Sequence, residues 1–180
     1  LVDLSHSGEQ TCLDAIRASK SPIAITHTGC RSLTDTPRNK TDKELRLVAE
    51  KGGIVGIYFM PFLAPDSFAD AEDVVQHIEH AINICGEDHV GIGTDGGTTQ
   101  IDDFEGFRAV IAEEVAKRQA AGISARGEKA GVVPLVPDLH GPDQFHKLAG
   151  LLSARGHSLT RIEKILGLNA LRVMEETWRI

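Results

Sequence analysis

Apolar residues fall along this chain in short runs, each followed by a longer stretch with helical spacing. Residues 1–5, "LVDLS", read as a buried strand. Ser7 and Gln10 then give a capping-box pattern for a helix over about 8–19. "SPIAIT" (21–26) reads as a second strand, and the polar stretch 27–40, with Gly29 and Pro37, as a loop. Thr41 caps a helix over about 42–51, with Leu45, Val48 and Ala49 on one face and Gly52 and Gly53 at its end. "GIVGIYF" (53–59) reads as a third strand. In the helix over about 70–85, Val74, Val75, Ile78, Ala81 and Ile82 share one side. "HVGIGT" (89–94) reads as a fourth strand, followed by a helix over about 104–121 and an irregular, insertion-like stretch over about 122–140. Helices over about 142–155, 158–166 and 168–178 close the chain.

Strand and helix thus alternate about four times, which predicts parallel strands joined by right-handed crossovers. Strands so connected, with helices outside, form half of a (β/α)8 barrel. A Rossmann-like sheet is the rival, but no strand here leads into GxGxxG. Residues 1–180 are taken as one domain segment. Position 1 is Leu and the first strand begins at once, so the expectation is a piece of a longer protein.

Composition narrows the function. The net charge of −7, the absence of a Lys/Arg run and the 4% aromatic content argue against a nucleic-acid partner. The apolar runs are too short and interrupted to span a bilayer. Three cysteines without CxxC spacing read as free thiols, which leans toward a reducing compartment such as the cytoplasm.

Candidate chemistry sits where the apolar runs end. His6 closes the first run and His27 the second, twenty-one residues on, while Asp95 follows the fourth in "GIGTDGG". In a (β/α)8 barrel those strand ends converge on one mouth. Imidazoles and a carboxylate there suit a catalytic zinc with an open position. The structural alternative is that each His is a hydrogen-bonded, partly buried side chain. Arg38, in the loop after His27, can clamp a carboxylate with two parallel hydrogen bonds. Arg31 shares that loop, and Cys30 lies beside the same site, where it could be exposed but has no base to activate it. His77 and His80, at i, i+3 in mid-helix, read as a surface or packing pair, and His89, His140, His146 and His157 as structural or solvated.

Taken together, "VDLSH", "ITHTGCRSLTDTPRN", "VGIGTDGG" and "ILGLNALRVMEE" resemble the C-terminal half of the membrane (renal) dipeptidases, zinc peptidases built on a (β/α)8 barrel. The resemblance runs from residue 1 to about 178 and is weakest over 98–140. It implies hydrolysis of small dipeptides, with His6 and His27 as ligands of one zinc of a two-zinc centre. It also implies Arg38 as the clamp on the substrate carboxylate and Asp95 as the acidic group at the reaction centre. Asn169 and Arg172 match a tail signature read as packing. The family's second Asp, two residues after the first, is replaced here by Gly97. Its other metal groups, an early His-x-Asp, a bridging Glu and a further His, lie upstream, and no His-x-Asp occurs in this chain. Two alternatives stand beside this: another metal-dependent amidohydrolase acting on a non-peptide amide or lactone, and a barrel-derived binding protein without catalysis. A homo-oligomer is compatible with each.

Overall fold

The structure is a computed structural model, described here for residues 1–178. Its centre is a parallel sheet of β1 (Ala24–Thr28), β2 (Ile54–Ile57) and β3 (Val90–Ile92), in that order. The expected first strand is reduced to a single parallel bridge, Asp3 with Ala24. The reason lies in burial: Leu4 is buried, but Leu1 and Val2 are 43% and 54% exposed, so only one residue pair is held against β1.

Helices α1 (Glu9–Ala18), α2 (Asp42–Glu50) and α3 (Ala71–Cys85) fall within a residue or two of their expected bounds. The expected Ser7–Gln10 capping box is absent. Gly8 is the N-cap, with no side-chain cap, and Gln10 pairs with Asp14 instead, Nε2 donating to Oδ1 at 2.9 Å. Extended backbone at Gly8 starts the helix one residue too late for Ser7 to reach it. Thr41 does cap α2, reciprocally with Glu44, and Gly52 ends that helix at φ +75°. Leu45, Val48, Val74, Val75 and Ile78 are fully buried against Ile25, Val55 and Ile57 of the sheet. Removing such aliphatic side chains from water stabilises by about 1.5–3 kcal/mol each before entropy is counted.

α4 (Phe104–Ala120) buries only Val115, and residues 122–136 carry no regular element. The chain ends in α5 (Gln144–Ala154), α6 (Leu159–Glu163), a wide π turn over 164–168 and α7 (Asn169–Thr177). Asn169 Nδ2 donates to the carbonyls of Glu87 and Val90, and Arg172 Nη1 and Nη2 to those of Gly52 and Asp88. The tail signature is therefore packing: it ties α7 to the entries of β2 and β3. No helix among the described residues is long and apolar enough to cross a membrane.

Candidate metal centre

His27 lies near the end of β1, and the strand is irregular there. Ile25 pairs with Val55 and Thr28 with Ile57, so three steps along β1 match two along β2. This extra residue is a β-bulge, a feature enriched beside active sites because it re-aims a side chain. In a regular strand Thr26 and His27 would point to opposite faces. Here Thr26 Oγ1 lies 2.9 Å from His27 Nδ1. Gly56 and Gly93 leave the room: a Cβ at either would stand about 2 Å from the Thr26 carbonyl oxygen.

His6 follows the bridged segment, and its Nε2 lies 3.0 Å from His27 Nε2, with the rings edge to face. Two imidazole nitrogens on one tetrahedral zinc, each at about 2.0–2.1 Å, stand about 3.3 Å apart. Arg38, which can only donate, faces His6 Nε2 from 3.4 Å. The 3.0 Å contact is a hydrogen-bond distance between the two rings, and it is also close to the spacing of two nitrogens on one zinc, so the pair fits a zinc or similar metal ion. Burial is the main cause lowering the His27 pKa, and Arg38 and His6 add to it while Asp95 and Asp3 oppose it. The neutral, metal-binding form is favoured.

Arg38 comes from the loop after β1. Its Nη1 donates to the Ser5 carbonyl at 2.7 Å, and its guanidinium lies over the Tyr58 ring, 5.4 Å from the centroid. Tyr58 is fully buried beneath it, donates to Asn39 Oδ1, and has its pKa pushed up by that burial. Asp95 lies just past β3 with φ +58°, a left-handed conformation that Asp tolerates better than most residues. Its Oδ1 is 4.0 Å from His27 Nε2 and its Oδ2 4.0 Å from Arg38 Nη2. Both distances exceed a hydrogen bond, so the carboxylate faces the mouth without a direct partner from either. A Cβ at Gly97 would meet only Thr99 N, at 3.9 Å, so the loop does not require glycine there.

His6, Arg38 and Asp95 line a cavity of about 300 Å³ together with apolar Phe62, Val115 and Val132 and the charged Arg118 and Glu128. That volume suits a small ligand. Arg118 and Ala125 N both donate to Glu128 Oε2, at 3.1 Å each, which fastens the irregular segment to α4 above the mouth.

The structure brings His6, His27, Arg38 and Asp95 together and keeps the other candidates out. Cys30 is fully buried, not exposed: its N–H donates to His77 Nδ1 at 2.9 Å, and burial raises its thiol pKa. His77 is a core residue, and His80 pairs with Asp42 at 2.8 Å. His89 meets the Gly53 carbonyl, His140 that of Pro137, and His157 the Glu79 carboxylate. Arg31 reaches Glu9 at 3.4 Å, away from the mouth. The sequence reading missed Asp3, Ser5 and Thr26, which stand behind His27. Asp3 Oδ1 accepts from Ser5 N, Ser5 Oγ and Thr26 N, and Oδ2 from Thr26 Oγ1. Burial works to raise its pKa, but these bonds outweigh that and hold the carboxyl at about 2. The available signal was polar Asp3 and Ser5 at alternate positions inside an apolar run.

Comparison with known proteins bears on the family and the fold. The family model for membrane dipeptidases (peptidase family M19) matches residues 1–123. The chain is 35% identical over 185 aligned residues to the dipeptidase ataJ of Aspergillus terreus, with 98% of this chain and 36% of that protein covered. An amidohydrolase of known structure from Pseudomonas aeruginosa is 31% identical with a TM-score of 0.76, over 98% of this chain and 52% of that one. A metallopeptidase from Rhodobacter sphaeroides, solved with a phosphinate mimic of the dipeptide L-Ala-D-Ala, is 27% identical with a TM-score of 0.73. There 99% of this chain and 42% of the other are covered. The chain thus spans about half or less of the length of these relatives, as suits a barrel half. The parallel sheet with outer helices, the matched fold and the family model lead to one conclusion: this chain belongs to the membrane dipeptidase family, peptidase family M19.

Proposed function

We propose that the full-length protein is a zinc-dependent dipeptidase with two zinc ions in its complete centre. The observation that carries this is the meeting of His6 Nε2 and His27 Nε2 at 3.0 Å, with Arg38 and Asp95 at the same mouth, in a member of this family. His6 and His27 hold one zinc, and the remaining ligands come from outside this chain. Zinc, when bound, supplies Lewis acidity toward the peptide carbonyl and lowers the pKa of the attacking water. Arg38 binds and orients the free carboxylate of the substrate through guanidinium hydrogens that Ser5 does not use. Asp95, with its carboxylate free of a direct partner from His27 or Arg38, would accept a proton from the attacking water at Oδ1 or Oδ2 and pass it to the leaving amine. Ile111 and Val115 of α4, with Val132 and Pro134, give the cavity an apolar part against which a substrate side chain can pack. A clamp on the free carboxylate, with the substrate's amine end close to the metals, would restrict length to two residues without reading side chains strongly.

The test uses the full-length protein, stripped of metal and then reconstituted with zinc, against dipeptides, N-acyl amino acids and lactones. A D-residue at the second position belongs in the panel, since the Rhodobacter sphaeroides relative was solved with a mimic of L-Ala-D-Ala. The expected result is zinc-dependent turnover of dipeptides and little of the rest. Turnover confined to N-acyl amino acids or lactones points to the other amidohydrolase reading. Absence of bound zinc and of turnover points to a binding protein.

A further inference from the structure

The hydrogen bonds behind His27 decide which of its nitrogens carries the proton. An ionised carboxylate can only accept, so every contact at Asp3 is a donation to it. Ser5 Oγ gives its proton to Asp3 Oδ1 at 2.6 Å, and Thr26 Oγ1 gives its proton to Oδ2 at 2.7 Å. The two hydroxyl oxygens lie 3.0 Å apart with no proton left for each other. Each keeps only lone pairs, and each turns one toward His27. Ser5 Oγ accepts from the His27 backbone N–H at 3.1 Å. Thr26 Oγ1 meets His27 Nδ1 at 2.9 Å, and with its own proton already placed, that contact is a hydrogen bond only if Nδ1 carries the hydrogen. The opposite assignment would set Thr26 and Asp3 lone pairs against each other at 2.7 Å. A neutral imidazole protonated at Nδ1 has its lone pair at Nε2. That is the atom facing His6.

We propose that Asp3, acting through the Thr26 hydroxyl, is a positioning residue that fixes His27 as the Nδ1–H form and presents Nε2 as a metal ligand. The register slip between Ile25 and Thr28 falls at these two residues, whose side chains meet at 2.9 Å although they are neighbours in the strand. The proposal rests on the metal-centre reading and extends it one residue further from the metal than a direct carboxylate–histidine pair.

The experiment uses the full-length protein and two readouts, zinc affinity by competition with a chromophoric chelator and the imidazole ¹⁵N shifts of His27 in zinc-free protein. Those shifts separate Nδ1–H from Nε2–H. In the unsubstituted protein His27 is expected as Nδ1–H. Asp3→Asn puts an amide donor against Thr26, turns the hydroxyl toward Nδ1, and moves His27 toward Nε2–H. Its zinc affinity should fall about 10- to 100-fold, the usual effect of losing such a partner. Thr26→Val should lose a similar factor and Thr26→Ser should regain it. An Asp3→Asn protein with His27 still Nδ1–H overturns the proposal, as does a Thr26→Val loss that Thr26→Ser does not rescue. If Thr26→Val fails to fold, the Asp3→Asn spectrum carries the decision. An unsubstituted protein that takes up no zinc overturns the metal reading instead, and the zinc-free spectra still decide whether Asp3 sets His27.

Discussion

Arg38 divides its guanidinium between the protein and the mouth. Nη1 holds the Ser5 carbonyl, one residue before His6, and the plane rests on Tyr58, which limits its rotation. The side chain is only 19% exposed, so a carboxylate meeting it there is largely out of water. Losing a charged contact of that kind costs roughly 2–5 kcal/mol. For the full-length protein we predict that Arg38→Ala raises KM for free dipeptides by about 30-fold or more. Substrates with an amidated C-terminus should be affected much less, because they never presented the carboxylate. Equal losses on both would assign Arg38 to holding Ser5 rather than to substrate. At this scale the sequence was informative where a charged or titratable group ends an apolar run, as at His6, His27 and Asp95. It was silent on Tyr58, an ordinary apolar-run residue until the fold places a guanidinium on its face.

His77 joins three elements through one ring. It belongs to α3, its Nδ1 accepts from Cys30 N in the loop after β1, and its Nε2 donates to the Leu63 carbonyl at 3.0 Å. Both nitrogens are committed, and a second proton would set Nδ1–H against Cys30 N–H. Burial is the main cause holding its pKa at about 4, with His80 adding to it and the Leu63 bond opposing it. The unfolded chain takes up that proton below about pH 6.5 and the folded one only near 4. Stability from this group is therefore complete above about pH 6.5 and is lost as pH falls to about 4, by about 3 kcal/mol in all. Urea unfolding of the full-length protein and of His77→Ala at several pH values checks it. The advantage of the unsubstituted protein over His77→Ala should shrink across that window, and a constant difference would rule the linkage out. Helix periodicity made α2 and α3 legible, because their buried residues repeat on one face. The first strand was misread because "LVDLS" is apolar enough for a strand, yet only its Leu4 end is covered. The bulge at Thr26–His27 left no mark in the sequence, since it depends on the register with β2 and on space left by Gly56 and Gly93.

At the scale of the whole molecule, the 180 residues bring together part of a site and leave apolar surface uncovered. Among the described residues no three His, Cys, Asp or Glu side chains gather closely enough to hold a metal, and Asp95 stands 4.0 Å from His27 Nε2. A catalytic zinc normally takes three protein ligands, so two imidazoles bind it weakly. Leu159, Leu168, Leu171 and Trp178 are each half exposed or more on the last helices, and Leu1 and Val2 are exposed beside the sheet. Such a surface favours association. The net charge of −7 opposes that association only through screened repulsion. We therefore predict that residues 1–180 expressed alone elute as soluble aggregates or oligomers and bind zinc at least an order of magnitude more weakly than the full-length protein. They should hydrolyse no dipeptide. Light scattering after size exclusion, zinc titration and a dipeptide assay check the three parts. Turnover that survives purification and disappears with a chelator would show that His6, His27 and Asp95 suffice. The division of ligands between this chain and the rest of the protein would then be wrong.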